Sequence, residues 1–477
     1  MKNKIITITF LAITLVFAGC KKFLDVVPKA SLAEEQLFTS EAGFQQALIG
    51  VYSQLAGNNL YGDNLTIGFV SALGQNYGTL ASTATVQLQQ TQALTYNSIE
   101  VAGYTAAIWA SSYSAIAGAN KVIINSELQR AILSDNTYAL VRGEALALRA
   151  FLHFDLLRLF GPEYVAGANL KAIPYKKTVD ENAIVPSTTA DVVKFALADL
   201  KEAEDLLIKV DPIVVSDIRT RRSKLNYYGV KALEARIRLY SGDKIGAAAA
   251  ALVVANSGKY AWVTQAEASA VTSGTVVRDR LYFNEQIFMV RVREILTKVQ
   301  AYFRYRGATN LSLTRTPANF NTLYETAGGG GTDIRYLYRL EQDGGNTFPS
   351  KFWQNSSLTT ALSDNLRDQY VPAIRLAEMY YILAETAATP AAGVVYLNTV
   401  RQNRGLPNLA ATITQATLTA EITKEHQKEF YAEGQLFFYY KRIKATTMQF
   451  RTGTMTAALY VLPIPDAELQ YNPNYNN

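Results

Sequence analysis

Apolar residues return every three or four positions along most of this chain, the period of an amphipathic helix. The first such run is Phe44, Ala47, Leu48, Val51, Tyr52 and Leu55, opened by Thr39-Ser40-Glu41 and closed by Gly57-Asn58-Asn59. The same spacing predicts helices over 103–128 and 136–160. The second of these is apolar nearly all round, interrupted only by Glu144, Arg149, His153, Asp155 and Arg158, and stops at Gly161-Pro162. A helix of that kind is buried on most sides. Further helices are predicted over 188–209, 224–241, 244–256, 373–388 and 391–404, with a last amphipathic helix over 417–444. Ala235 and Ala247 face each other across the Gly242-Asp243 turn, the small-residue contact of a tetratricopeptide-type hairpin.

Two stretches break the pattern. Residues 57–102 are rich in Gly, Asn, Gln, Thr and Ser and carry no sustained period. Residues 257–371 are irregular, with strand-like alternation only at 288–293. Gly328 to Gly331 has no following Lys-Ser/Thr and is not a phosphate loop. The expected fold is therefore mainly α. A scaffold of tetratricopeptide-like hairpins (about 31–56, 103–256 and 372–444) carries long irregular insertions (57–102 and 257–371) and a few short β-strands, all within one domain over 31–477. The Arg and Tyr residues of the later excursion read as solvated side chains with stems packed on the helices.

The N-terminus has a different character. Lys2 and Lys4 precede an apolar run from Ile5 to Phe17, and Phe17-Ala18-Gly19-Cys20 follows, with the chain's only cysteine. This layout predicts a cleaved lipoprotein signal over 1–19, lipidation of Cys20, and an extended tether over 20–30. No later run is long enough to span a membrane. A hydrophobic content of 49% and a charged content of 18% describe a folded body. The formal charge of +6 is mild for 477 residues and does not call for nucleic acid.

The chemistry for catalysis is missing. There are two histidines, His153 and His426, neither with a His or Cys at ligand spacing, so no metal motif forms. His153 reads as a buried structural histidine. No nucleophile elbow, dinucleotide fingerprint or calcium loop occurs. Glu421, Glu425 and Glu429, interleaved with Lys424 and Lys428, read as a solvated helix face. No cofactor is expected.

Five segments together resemble the SusD/RagB family of outer-membrane nutrient-binding lipoproteins: CKKFLDVVPK at 20–29, GEALALRAFLHFDLLRLFGP at 143–162, AIRLAEMYYILAE at 373–385, LNTVRQNRGLP at 397–407 and EHQKEFYAEGQLFFYYKR at 425–442. The closing YVLPIPDAELQYNPNYNN is similar to the family's C-terminus. The resemblance implies a tetratricopeptide-like fold with a variable irregular half. It implies a surface lipoprotein paired with a TonB-dependent β-barrel transporter, capturing an oligosaccharide, or in some members a peptide, without turnover.

Tyrosine is abundant, 29 residues against 3 Trp. It offers a flat face and a hydroxyl, suited to sugar stacking as well as to helix seams. Sugars also need amides and carboxylates for their hydroxyls. The candidates in the first excursion are Tyr61, Asp63, Asn64, Asn76 and Tyr77; in the second they are Tyr282, Asn284, Tyr302, Tyr305 and Trp353. Two alternatives stand beside glycan capture. Arg278, Arg280, Arg291, Arg293, Arg304 and Arg306 suit a peptide or acidic glycan, and a structural subunit of the transporter complex needs little ligand affinity.

Overall fold

The structure is a computed structural model. It describes residues 37–475 apart from 78–84, 217–218, 273–274, 277, 294, 304–312, 314, 344–345 and 353–369. Cys20 and the tether therefore lie outside the described residues. Thirteen helices and six strands suffice to place the site. The helices are α1 (Glu41–Leu55), α2 (Ile99–Leu128), α3 (Asp135–Phe160), α4 (Thr189–Leu207), α5 (Tyr227–Tyr240), α6 (Lys244–Ala255), α7 (Ile295–Phe303), α8 (Ile334–Arg339), α9 (Leu376–Thr386), α10 (Pro390–Asn403), α11 (Gln415–Glu429), α12 (Leu436–Arg442) and α13 (Asp466–Tyr471). The strands are β1 (Lys171–Ile173), β2 (Ser187–Thr188), β3 (Gln286–Arg291), β4 (Leu340–Asp343), β5 (Asn346–Pro349) and β6 (Tyr370–Arg375).

Eight scaffold helices start where a side chain can replace their missing carbonyl partners. Ser40, Ser98, Ser134, Thr188, Asn226, Asp243, Thr389 and Thr414 accept a backbone N–H in the first turn of α1, α2, α3, α4, α5, α6, α10 and α11. Ser98 explains why α2 begins at Ile99 rather than 103. Consecutive helices pack in succession: α1 on α2, α2 on α3, α3 on α4, α4 on α5 and α5 on α6. After the second excursion α6 meets α9, and α9 meets α10 and α11. Ala235 and Ala247 are fully buried, as the hairpin reading requires. One hydrophobic cluster runs through these layers from Phe38 to Leu462.

Helix α3 is the axis of the scaffold. All five of its interrupting polar residues are buried, and each has a partner. Glu144 accepts from Tyr52 Oη at 2.7 Å and Arg221 at 2.5 Å. Arg149 makes a two-pronged pair with Asp199 at 2.7 Å on both arms. Asp155 takes Tyr61 Oη at 2.6 Å and pairs with Arg158. His153 Nδ1 donates to the Arg149 carbonyl at 2.9 Å, and its Nε2 accepts from Lys176 N–H at 3.0 Å. Burial holds its pKa down at about 3, so the ring is neutral and structural, as expected.

Three expectations are corrected. The helix predicted over 373–388 begins as strand: β6 pairs antiparallel with β3, Gln286 opposite Arg375 and Arg291 opposite Tyr370. The pattern could not separate them because β6 is buried at every position and shows no alternation. The second excursion is thereby closed at its base by a two-stranded ribbon, and the strand predicted at 288–293 starts two residues earlier. The single helix predicted over 417–444 is two, broken at 430–435, where Ala432 and Gly434 take left-handed φ values of 60° and 70°. A Cβ on Gly434 would sit 2.4 Å from the Leu65 carbonyl oxygen. The break is what lets the chain press against the first excursion.

The third correction concerns the supposed solvated face of α11. Glu425 and Glu429 have no exposed surface at all. Glu429 lies among four arginines. Its Oε2 accepts from Arg335 at 2.8 Å and Arg404 at 2.9 Å; its Oε1 pairs with Arg375 and lies 3.7 Å from Arg339. Arg335 also binds Asp333 and Glu425, Arg404 also binds Glu285, and Arg375 and Lys351 share Glu433 beyond the break. Arg335, Arg339, Arg375, Arg404 and Lys351 thus meet Glu285, Asp333, Glu425, Glu429 and Glu433, and Arg401 and Lys428 add to the cations around Glu425. Burial alone raises a carboxyl's pKa; Arg404, Arg375 and Arg335 outweigh it and hold Glu429 well below the usual carboxylate range. The solvated reading of the later excursion's arginines fails for Arg280, Arg315, Arg335 and Arg339, which are buried, and holds for Arg291 and Arg293, which are exposed.

Removing one partner of a buried pair leaves the other charged and unpaired, at about 3–5 kcal/mol. Glu429→Gln is expected to cost at least that much, seen as a lower urea midpoint, whereas Lys201→Ala, at an exposed pair with Asp205, should leave the midpoint unchanged. Gly434→Ala is expected to cost about 2 kcal/mol or more in the same assay, from its left-handed backbone and the backbone it would strike.

Candidate functional site

Most of the sequence-nominated residues are turned inward. Tyr61 stacks on Phe151 at 5.0 Å and gives its hydroxyl to Asp155. Tyr77 Oη lies 2.7 Å from Ser71 Oγ, and its ring meets Tyr431 edge-on at 5.1 Å. Asn76 donates to the Gln427 carbonyl and accepts from Arg315, both at 2.9 Å. Asn64 is buried within the turns of 58–70. Tyr282 has both Arg339 and Arg404 against its ring, at 3.3 and 4.7 Å. These side chains bind the excursions to the scaffold, and a ligand on the surface does not reach them. The physical reason is that a tyrosine suits a seam as well as a sugar. Asn284 is half-buried and belongs to the 261–267 segment, its carbonyl accepting from Ala261 N–H at 3.2 Å. Tyr305 and Trp353 lie outside the described residues; before the latter, Lys351 and Phe352 form a buried turn after β5.

Asp63 and Tyr302 are brought together from 239 residues apart in the chain. Residues 57–68 fold into successive tight turns over buried Leu60, Leu65 and Ile67. Helix α7 lies over them, with Tyr302 Oη donating to Asp63 Oδ2 at 3.2 Å. Lys298, one turn earlier, donates to the Asn58 side chain and to the Gly62 carbonyl at 3.2 Å. From α2, Tyr104 stacks on Phe69 at 4.9 Å and senses the Asp63 charge. One α-helical heptad on, Ser111 accepts from Asn59 at 3.0 Å. Asp63, Tyr104 and Tyr302 are each half-buried. Two aromatic faces, a carboxylate, two amides, a hydroxyl and an ammonium thus share one polar surface.

Gly68 makes the carboxylate's position possible, since a Cβ there would fall 2.2 Å from Asp63 Oδ1. That oxygen is buried without a hydrogen-bond partner among the described residues. A carboxylate can accept about four hydrogen bonds; this one accepts from the Tyr302 hydroxyl. Burial pushes its pKa up to about 6, against the opposing pull of Tyr302 and Lys298. The sequence pattern missed Tyr104, Ser111 and Lys298, because each sits in a helix where it reads as ordinary surface. Asn58 and Asn59 read only as a helix stop.

Residues 22–238 match the family described as starch-binding associating with outer membrane, and residues 297–454 match the SusD family. This chain belongs to the SusD/RagB family. SusD-like protein P25 of Formosa agariphila is 26% identical over 207 residues, which are 39% of this chain and 37% of that relative; the match thus spans well under half of the relative's length. The SusD fold extends over nearly the whole chain. A SusD superfamily protein from Bacteroides fragilis superposes with a TM-score of 0.72 over 92% of this chain and 100% of that one, at 19% identity. A laminarin-binding SusD-like protein gives 0.67 over 91% and 98%, at 22% identity. The expected mainly helical SusD-type architecture is therefore the observed one.

The raised pKa of Asp63 has a stability consequence. Between about pH 4 and pH 6 the native carboxyl keeps a proton that the unfolded chain has lost, so this group's contribution falls as pH rises through that window. Asp63→Asn is expected to stabilise the SusD-like fold by on the order of 1–2 kcal/mol at pH 7.5 and to have little effect near pH 4. Thermal melts at the two pH values check this.

Proposed function

We propose that this SusD/RagB protein captures a neutral oligosaccharide at the Asp63–Tyr104–Tyr302 surface and passes it, unhydrolysed, to a partner TonB-dependent β-barrel in the outer membrane. Lipidated Cys20 is the anchor in this reading, 1–19 the removed signal and 31–477 the binding domain. The observation that carries it is the convergence of half-buried Asp63 with the half-buried rings of Tyr104 and Tyr302 on one polar surface. A carboxylate with spare acceptor capacity takes sugar hydroxyls, and the rings take the sugar's C–H face. The family's description as starch-binding and the laminarin-binding relative support the same ligand class. Of the arginines that would suit an acidic ligand, Arg280 is buried and paired with Glu341, while Arg291 and Arg293 are exposed on another element, away from Asp63 in sequence. The Asp63 surface itself carries one carboxylate and one ammonium.

Titration calorimetry with maltoheptaose and laminarihexaose tests the reading. Binding is expected with at least one of them, intact sugar is expected on recovery, and Asp63→Asn, without lowering the melting temperature, and Tyr302→Ala should each weaken it at least tenfold. Affinity should be nearly the same at 50 and 500 mM salt, since no net ion pair forms. A steep salt dependence would instead favour a peptide or acidic glycan. Tagged full-length protein extracted from outer membranes in mild detergent should carry a β-barrel with it, and Cys20→Ala should release the protein from the membrane. A lone protein under conditions that keep other complexes together rejects the partnership with a β-barrel.

A further inference from the structure

Helix α2 has a second polar and aromatic face. Trp109 and Tyr113 lie roughly 140–180° around its axis from Tyr104, on the far side from the Asp63 cluster. There, α2, the loop between β1 and β2, and α13 enclose a groove of about 470 Å³. That is within the range of about 300–1,000 Å³ typical of small-ligand sites.

The walls are held in place from several directions. Tyr113 Oη donates to the Pro174 carbonyl at 2.7 Å. Fully buried Asn120 donates to the carbonyls of Lys176 and Thr178, both at 3.1 Å. Asp180 folds the loop tip back, accepting from Asn182 N–H at 2.9 Å and Lys176 Nζ at 3.1 Å. Across the groove, buried Asn472 donates to the Ile184 carbonyl at 2.9 Å and to Glu468 at 3.0 Å. Glu468 in turn lies 3.4 Å from Trp109 Nε1. Tyr471 stands on the rim with 57% of its surface exposed.

This chemistry narrows the occupant. The exposed Tyr471 ring, lining the same groove as Trp109 and Tyr113, takes the C–H face of a pyranose, and the Glu181 carboxylate and Asn182 amide of the loop take its hydroxyls. Asp180, Glu181 and Glu468 outnumber Lys176, so an anionic ligand is repelled. Asp180 is already compensated by Lys176 and a backbone N–H, so the groove offers acceptors rather than a strong field for a basic peptide. We propose that this groove is a second carbohydrate-binding site, selective for neutral oligosaccharides and separate from the Asp63 surface.

The test uses the full chain on an array of neutral, acidic and amino oligosaccharides together with basic peptides. Wild type, the double variant Asp63→Asn/Tyr302→Ala, and that double variant with Tyr471→Ala added are compared, and hits are titrated. The double variant is expected to retain a neutral oligosaccharide, with affinity falling at least tenfold when Tyr471→Ala is added; Asn182→Ala in the same background should weaken it as well. The proposal is overturned if the double variant binds no neutral oligosaccharide, if its binding is indifferent to both added changes, or if it selects acidic glycans or basic peptides. Failure of the Asp63 reading looks different: wild-type binding that the double variant leaves intact.

Discussion

Glu429 is the residue around which the molecule is organised. A lone ionised carboxylate cannot sit at the centre of a protein. This one does because α8, β6 and the end of α10 each deliver an arginine to it. Those segments otherwise have little in common: one is part of an irregular excursion, one is a buried strand, one ends a scaffold helix. These ion pairs make their relative placement mutually dependent. A hydrophobic contact tolerates sliding, whereas a two-pronged ion pair without water does not.

The helix break after Glu429 carries that order to the surface. Glu433, just beyond the break, anchors Lys351 and Arg375. Gly434 then presses on the backbone at Leu65 and Thr66, two residues beyond Asp63. Tyr431 packs against Tyr77, and Gln427 holds Asn76. The turns that present Asp63 therefore rest on the charged core. Rigid support of this kind is what a binding surface assembled from loops requires.

How much of this was legible in the sequence follows from the physics of each element. The scaffold helices were, because caps and a 3.6-residue period are local signals. The buried strand β6 was not, because an element covered on both faces shows no alternation. The charge core was invisible for a sharper reason: glutamates four apart beside lysines look the same on a wet surface as in a dry network, and their partners lie up to 94 residues away in the chain. Asp63 and Tyr302 were nominated, but so were Tyr61, Tyr77 and Tyr282, which the fold uses internally. Residue type told which groups can meet a sugar and could not tell which seams were already spoken for.

The order of the charges along the chain has a consequence for how the protein is made. Arg335, Arg339, Lys351, Arg375 and Arg404 all precede Glu425, Glu429 and Glu433. During synthesis the cations emerge first, with only Glu285 and Asp333 available to neutralise them. Their desolvation has to await the last fifty or so residues behind α11 and the earlier wait is spent hydrated. The buried cations of the second excursion and of β6 thus find most of their partners only in the C-terminal segment that holds Glu425, Glu429 and Glu433.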